Sequence, residues 1–201
     1  MLLNTLLNSL IQIFVFALVP FLVWCLTARK RCSFPSYIGL KCIRARSRAT
    51  FLLWLVGTAL LFMAFGALLL LRLQDVPTAT DAFTGQGAKA IPAVVVYAVF
   101  HTALPEEILF RGFLLKRLQP MLGFPFANTV QAILFGILHG ALFFRLVPVA
   151  EALLILAFTA ATAYGMGYIN EKQADGSVLP SWIIHALSNL FSGLCAAFSL
   201  L

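Results

Sequence analysis

Charge is scarce in this chain. Charged residues make up 10% of its 201 positions and hydrophobic ones 62%, at a mean hydropathy of +0.98. An average soluble domain is roughly one quarter charged, so a conventional water-facing surface is excluded and an integral membrane protein is expected. Acids are scarcer still, seven against fourteen Lys and Arg. The first ten residues have no cationic side chain and the basic residues follow the first apolar run, the reverse of a signal peptide. That run reads as a retained span. Cys25, Cys32, Cys42 and Cys195 show neither CxxC spacing nor the framework of a disulfide-rich secreted domain, and read as free thiols. Linkers, low-complexity tracts and repeats of solenoid period are missing, so residues 1–201 are expected to form a single membrane domain. Short alternating segments, the mark of a membrane barrel, are missing too.

What remains is helix. Six apolar runs, Leu6 to Thr27, Phe51 to Leu71, Ile91 to Leu115, Asn128 to Phe144, Val147 to Ile169 and Pro180 to Leu201, approach the roughly 17 to 25 residues that cross a bilayer. The expected fold is all-α, a polytopic bundle of about six spans around an intramembrane polar cavity. Arg29, Lys30, Arg31, Lys41, Arg44, Arg46 and Arg48 lie between the first two spans with no acid among them. By the positive-inside bias that segment is cytosolic. The next connection, around Asp75, Asp81 and Lys89, is nearly neutral and fits the outside, and Lys116 and Arg117 return to the cytosol. An outside amino terminus follows. The +7 balance therefore describes topology and attraction to the lipid bilayer. It gives no reason to expect nucleic acid, because the basic segment contains no recognition module.

The chain divides in character near residue 90. Residues 1–90 supply two spans and the basic loop, and every polar residue that looks misplaced falls in 91–201. The connection "QPMLGFPFAN" is expected to turn, with Asn128 capping the helix that follows. Glu106, Glu107 and Arg111 interrupt the third run, where one ionised side chain costs about 2.5 to 3.5 kcal/mol. Glu107 and Arg111 are i,i+4 neighbours with the acid first, whereas Glu106 is rotated about 100° from Glu107 and faces elsewhere. A plainer reading is also open: Pro105 suits the first turn of a helix, and the two glutamates would then be ordinary first-turn acids.

His139 lies in the fourth run with Phe135 four residues before it, and Gly136 and Gly140 have the small-xxx-small spacing of close helix packing. In the sixth run His185 and Asn189 share a face. Each group alone could be structural, but together they contain a base, imidazoles and hydrogen-bond donors, a minimal hydrolytic set. His101 belongs to none of these pairs and reads as structural.

The ordered set Glu106-Glu107-xxx-Arg111, Phe135-xxx-His139 and His185-xxx-Asn189 resembles the EExxxR, FxxxH and HxxxN pattern of the CPBP or Abi family. These are intramembrane glutamate endopeptidases named for CAAX-prenyl proteases and bacteriocin-processing proteins. The resemblance covers roughly Ile91 to Ser199. It implies a peptide bond hydrolysed in a cavity open to the cytosolic side; no cofactor or metal is expected, with a metal-dependent version left open. Glu106 would activate water, His139 would hold and polarise it, His185 and Asn189 would donate to the oxyanion, and Arg111 would hold Glu107. Phe135 would support the site. The partner is then a peptide or membrane-protein substrate. Prenylated carboxy-terminal peptides, leader-bearing precursors and signalling peptides all fit, as do membrane-protein partners, and the small size suggests a prokaryotic plasma membrane.

Helical rise puts Glu106 about 15 Å and His139 about 16 Å from the inner ends of their spans, but His185 only about 8 Å. Either the sixth span tilts, or "EKQADGSVLP" dips below the membrane surface within protein. Three alternatives compete with the glutamate protease. The first is a zinc hydrolase using His139, His185 and Glu106, although no HExxH occurs. The second is a non-catalytic interaction or bacteriocin self-immunity protein binding a peptide in the same cavity. The third, a transporter, lacks the usual internal repeat.

Overall fold

A computed structural model describes residues 1–73 and 76–200. Asp75, assigned above to the outside loop, and Leu201, the last residue of the sixth run, lie outside the described residues. Among those described there are helices and no strand.

Helix α1 spans Leu2–Thr27, α2 is the single turn Phe34–Tyr37, and α3 spans Arg48–Arg72. The long α4 runs Gly87–Leu122, α5 Phe124–Phe143, α6 Val149–Gln173 and α7 Leu179–Ala197. Five of these (α1, α3, α4, α5 and α6) are long and apolar enough to cross a membrane by length and composition. Helix α7 is the sixth expected span; it has 19 residues, and His185, Asn189 and three serines dilute its apolar character.

Two expectations are corrected here. Pro105 does not begin a helix: it sits buried inside α4, and Leu104 before it is helical at φ −61°, ψ −50°. Proline has no N–H and crowds the preceding turn. The helix accommodates it by widening to π geometry on both sides, at Tyr97–Ala103 and Ile108–Leu115. Glu106 and Glu107 are therefore interior residues of a long helix. Asn128 does not cap α5 either. The turn is made at Gly123, whose φ of 74° favours glycine, and Pro125 lies in the first turn of α5. Asn128 is buried one turn further in, donating to the Tyr164 carbonyl at 2.9 Å and accepting from Gln131 Nε2 at 2.8 Å.

Helices α5 and α6 form the tightest pair. A Cβ at Gly136 would lie 2.6 Å from the Leu156 carbonyl oxygen and 2.8 Å from the Ala160 Cβ, so the two backbones meet only because glycine stands there. Helix α7 packs against both α3 and α4, and α1 lies along the outside of α4. Both α1 and α3 are exposed along most of their length, with leucines and phenylalanines outward, as a lipid-facing surface requires.

The bundle has two unlike ends. Arg29, Lys30, Arg31, Lys41, Arg44, Arg46, Arg48, Lys116, Arg117 and Lys172 gather at one, and Arg72, Lys89 and Arg145 at the other. The basic end is tied together by polar contacts. Lys116 Nζ donates to Glu171 Oε1 and to the Gly176 carbonyl, each at 2.7 Å; Val178 N donates to Gly39 O at 2.9 Å; and Ser177 Oγ donates to Lys41 O at 2.6 Å. Residues 169–178 are thus folded into protein, with Ala174, Ser177 and Val178 buried.

Candidate active site

Glu107 and Arg111 lie one turn apart on α4 and both are fully buried. Glu107 Oε1 is 3.0 Å from Arg111 Nη1, close enough for an ion pair, yet the guanidinium N–H bonds are not aimed at it, and Nε, Nη1 and Nη2 make no hydrogen bond. The guanidinium instead lies over the Phe135 ring, 4.3 Å from its centroid, a cation–π contact strengthened by exclusion of water. Phe135 is 4.3 Å from the His139 ring and 6.0 Å from that of His185. One aromatic side chain from α5 therefore spaces the arginine from both imidazoles.

The three helices converge on Glu106. Its Oε2 lies 3.9 Å from His139 Nε2 and 3.7 Å from His185 Nε2. Both rings are held by their other nitrogen: His139 Nδ1 is 2.9 Å from the Phe135 carbonyl oxygen, and His185 Nδ1 is 3.1 Å from Glu107 Oε1. A carbonyl only accepts, so His139 Nδ1 carries the proton and the Nε2 of its neutral ring presents a lone pair toward Glu106. The two glutamates differ in access. The Glu107 side chain is 1% exposed, against 14% for Glu106 and 24% for His139. Among the described residues, no group of three or more His, Cys, Asp and Glu side chains is arranged to hold a metal ion.

Asn189 is one turn beyond His185 on α7, and its Nδ2 donates to Thr102 Oγ1 at 2.6 Å. The Thr102 hydroxyl donates in turn to the Tyr97 carbonyl at 3.2 Å. Thr102 was missed in the sequence, although it precedes Glu106 by four residues and so shares its face. Also missed was a buried polar network between the site and the basic end. In it Asn170 Nδ2 donates to Ser181 Oγ at 2.7 Å, and Gln131 Nε2 donates to the Ala163 carbonyl at 3.2 Å. Ser181 and Gln131 lie four residues before His185 and Phe135, a spacing that carries the signal. His101, read as structural, stands apart from the cluster in a second cavity with Asn4, Asn8 and Tyr97.

His139, His185 and Asn189 line a cavity of about 220 Å³ together with Phe62, Tyr97 and Phe158. Toward the basic end the cluster is followed by the fully buried side chains of Arg111, Leu115, Gln131, Met166, Ile169 and Ile184. The cavity extends the other way, to Leu73 at the end of α3 and Ser192 on α7. His185 sits level with Glu106 because α7 begins inside the protein, below a connection in which Ala174, Ser177 and Val178 are buried.

Comparison with curated proteins and with solved structures returns no match. A family model described as type II CAAX prenyl endopeptidase Rce1-like matches residues 88–191, just over half of the chain. The matched stretch contains Glu106, Glu107, Arg111, Phe135, His139 and His185 and ends just beyond Asn189. With its five apolar helices, the chain is an integral, multi-pass membrane protein, and it belongs to the Rce1-like family of type II CAAX prenyl endopeptidases, a family of membrane proteases.

Proposed function

We propose that the chain is an endopeptidase that hydrolyses a peptide bond within the helical bundle, with Glu106 as general base, and that it processes a membrane-associated peptide or protein precursor. The observation that carries the reading is the disposition of Glu106 Oε2 beside two anchored imidazoles, at 3.7 and 3.9 Å. Polar atoms that far apart do not bond each other directly, but each can hold one oxygen placed between and beside them. That oxygen is the attacking water. Glu106 takes its proton as the oxygen adds to the carbonyl carbon, and the same proton passes to the leaving amine when the C–N bond breaks.

The roles of the neighbours follow from their hydrogen bonds. His139, anchored on the Phe135 carbonyl, accepts from and orients the water through Nε2. Asn189 Nδ2 keeps one N–H on Thr102 Oγ1 and donates the other to the oxyanion. His185 donates to the oxyanion when its Nε2 carries a proton, and Glu107 Oε1, 3.1 Å from its Nδ1, holds the ring in place. Arg111, its Nη1 3.0 Å from Glu107 Oε1, offsets the charge of that carboxylate.

The test is turnover of a fluorogenic peptide by purified protein in lipid. Glu106→Gln should lose about 10²- to 10⁴-fold in kcat, the usual worth of a general base, with the unfolding transition kept. Undiminished turnover would overturn the proposal. Activity that survives thorough chelation, on protein free of metal, separates the glutamate mechanism from the zinc alternative. A Glu106→Gln protein that keeps its full biological effect would favour peptide binding without hydrolysis.

A further inference from the structure

We infer that Asn170 is a positioning residue for the hydrolytic site: from the end of α6 it sets the depth and rotation at which α7 starts, and so holds His185 against Glu107 and Glu106. This rests on the reading of Glu106 as the catalytic base with His185 beside it. Asn170 is fully buried and lies in the last turn of α6, which widens to π geometry over Ile169–Gln173, a distortion frequent at functional sites. Three of its polar groups serve the connection to α7 and the first turn of that helix. Its backbone carbonyl accepts from Gly176 N at 2.7 Å, its Oδ1 accepts from Ser181 N at 3.1 Å, and its Nδ2 donates to Ser181 Oγ at 2.7 Å.

The first N–H groups of a helix have no partner within it, and Val178, the residue before α7, offers no side-chain cap. Leu179 N donates to Ser177 Oγ at 3.3 Å and Pro180 has no N–H. That leaves Ser181 N, fully buried, which Asn170 meets from another helix. A buried donor left unmet is costly, so α7 begins where the Asn170 amide stands. Because that amide bonds both the N–H and the hydroxyl of one residue, it fixes the rotation of α7 as well as its depth. Ser181 Oγ spends its own proton on the Val178 carbonyl at 3.0 Å. His185 follows one turn later on the same face, after about 6 Å of rise. The tolerance there is small. His185 Nδ1 is 3.1 Å from Glu107 Oε1, and a shift of about 1 Å would end that hydrogen bond. Misplacement of that size can cost about 10²-fold in turnover.

Asn128 provides the control. It is an equally buried asparagine, donating to the Tyr164 carbonyl at 2.9 Å, but it joins α5 to α6 and makes no bond to α7. Turnover of a fluorogenic peptide is measured on the full chain in lipid, each variant well below its unfolding transition. Asn170→Ala should lose about 10- to 100-fold in kcat with KM nearly unchanged, whereas Asn128→Ala should lose stability and keep kcat. Equal loss of kcat in both, or a change in Asn170→Ala confined to KM or to stability, overturns the inference. Ser181→Ala keeps the N–H that Asn170 accepts from, and carries the test if Asn170→Ala does not fold. It should lose kcat by a smaller factor, and parental kcat overturns the inference. The two substitutions together should be no slower than Asn170→Ala alone, because both act through one contact; losses that multiply would count against it.

The position of α7 is also read without turnover. In a chain whose four cysteines are replaced by Ala, Thr102→Cys and Asn189→Cys, at side chains in contact at 2.6 Å, should be joined by a short bifunctional methanethiosulfonate. Adding Asn170→Ala should remove most of that cross-link, and an unchanged yield overturns the inference. Glu106→Gln assayed in parallel separates the two claims. Full turnover by that variant overturns the protease reading, while the cross-link still decides whether Asn170 places α7.

Discussion

At the scale of the residue, the site depends on neutralising charge in a place that water does not reach. Glu107 and Arg111 are both fully buried, and the pair has His185 on one side and Phe135 on the other. Removing one member of such a pair leaves a buried charge uncompensated, at a cost of about 3–5 kcal/mol. Arg111→Met should therefore lower stability by that amount in a denaturation series in lipid or detergent, and Glu107→Gln combined with Arg111→Met should recover most of it. If the double variant is as unstable as the single one, the arginine acts through packing on Phe135 rather than through Glu107. Thr102 allows a finer test. Thr102→Val removes the acceptor that holds the Asn189 amide at 2.6 Å, so kcat should fall while KM stays near its original value, with little change in unfolding. A change in KM alone would place Asn189 in substrate binding instead.

At the scale of the element, the position of His139 depends on how closely α5 approaches α6. Gly136→Val would put side-chain carbon where the Leu156 carbonyl and the Ala160 Cβ already are. Overpacking of this kind costs about 1–3 kcal/mol, and the displaced helix carries His139 with it, so stability and turnover should fall together. Gly57→Ala on α3, which has nothing within 4 Å of the new methyl, should leave both unchanged. Helix α4 shows where local reading fails. "PEE" has the composition of a helix start, and the spacing of Glu107 and Arg111 was legible as an ion pair, but that the helix passes through Pro105 is decided by packing. Helices α1, α5 and α7 hold the widened turns of α4 in place from outside, which overrides the local preference of proline for a first turn.

At the scale of the whole molecule, the basic end is held shut by contacts between parts of the chain far apart in sequence. Lys116 Nζ, on α4, binds Glu171 and the Gly176 carbonyl, and both charged side chains are largely buried. Lys116→Met should cost about 1.5–3 kcal/mol, the worth of a hydrogen bond to a charged group, and make Ala174, Ser177 and Val178, all buried, accessible to protease added on that face. An unchanged cleavage pattern would mean that Gly39, Lys41 and their partners close the end without it.

The sequence by itself determined the apolar helices, the basic segment and the three pairs at helical spacing. These follow from local rules: hydropathy over the length of a span, and the rotation of about 100° per residue that puts i and i+4 on one face. Glu106 and Glu107 already faced apart on that argument. Only the tertiary structure decided that His185 lies between the two glutamates, bonded to Glu107 and 3.7 Å from Glu106, although its depth counted along α7 disagreed with theirs. It also decided that the cavity beside His139, His185 and Asn189 is completed by Phe62 and Phe158 from α3 and α6. Distances between helices and the voids they leave are set by how glycines, aromatics and buried loops from different segments fit together, and no periodicity within one segment contains that information.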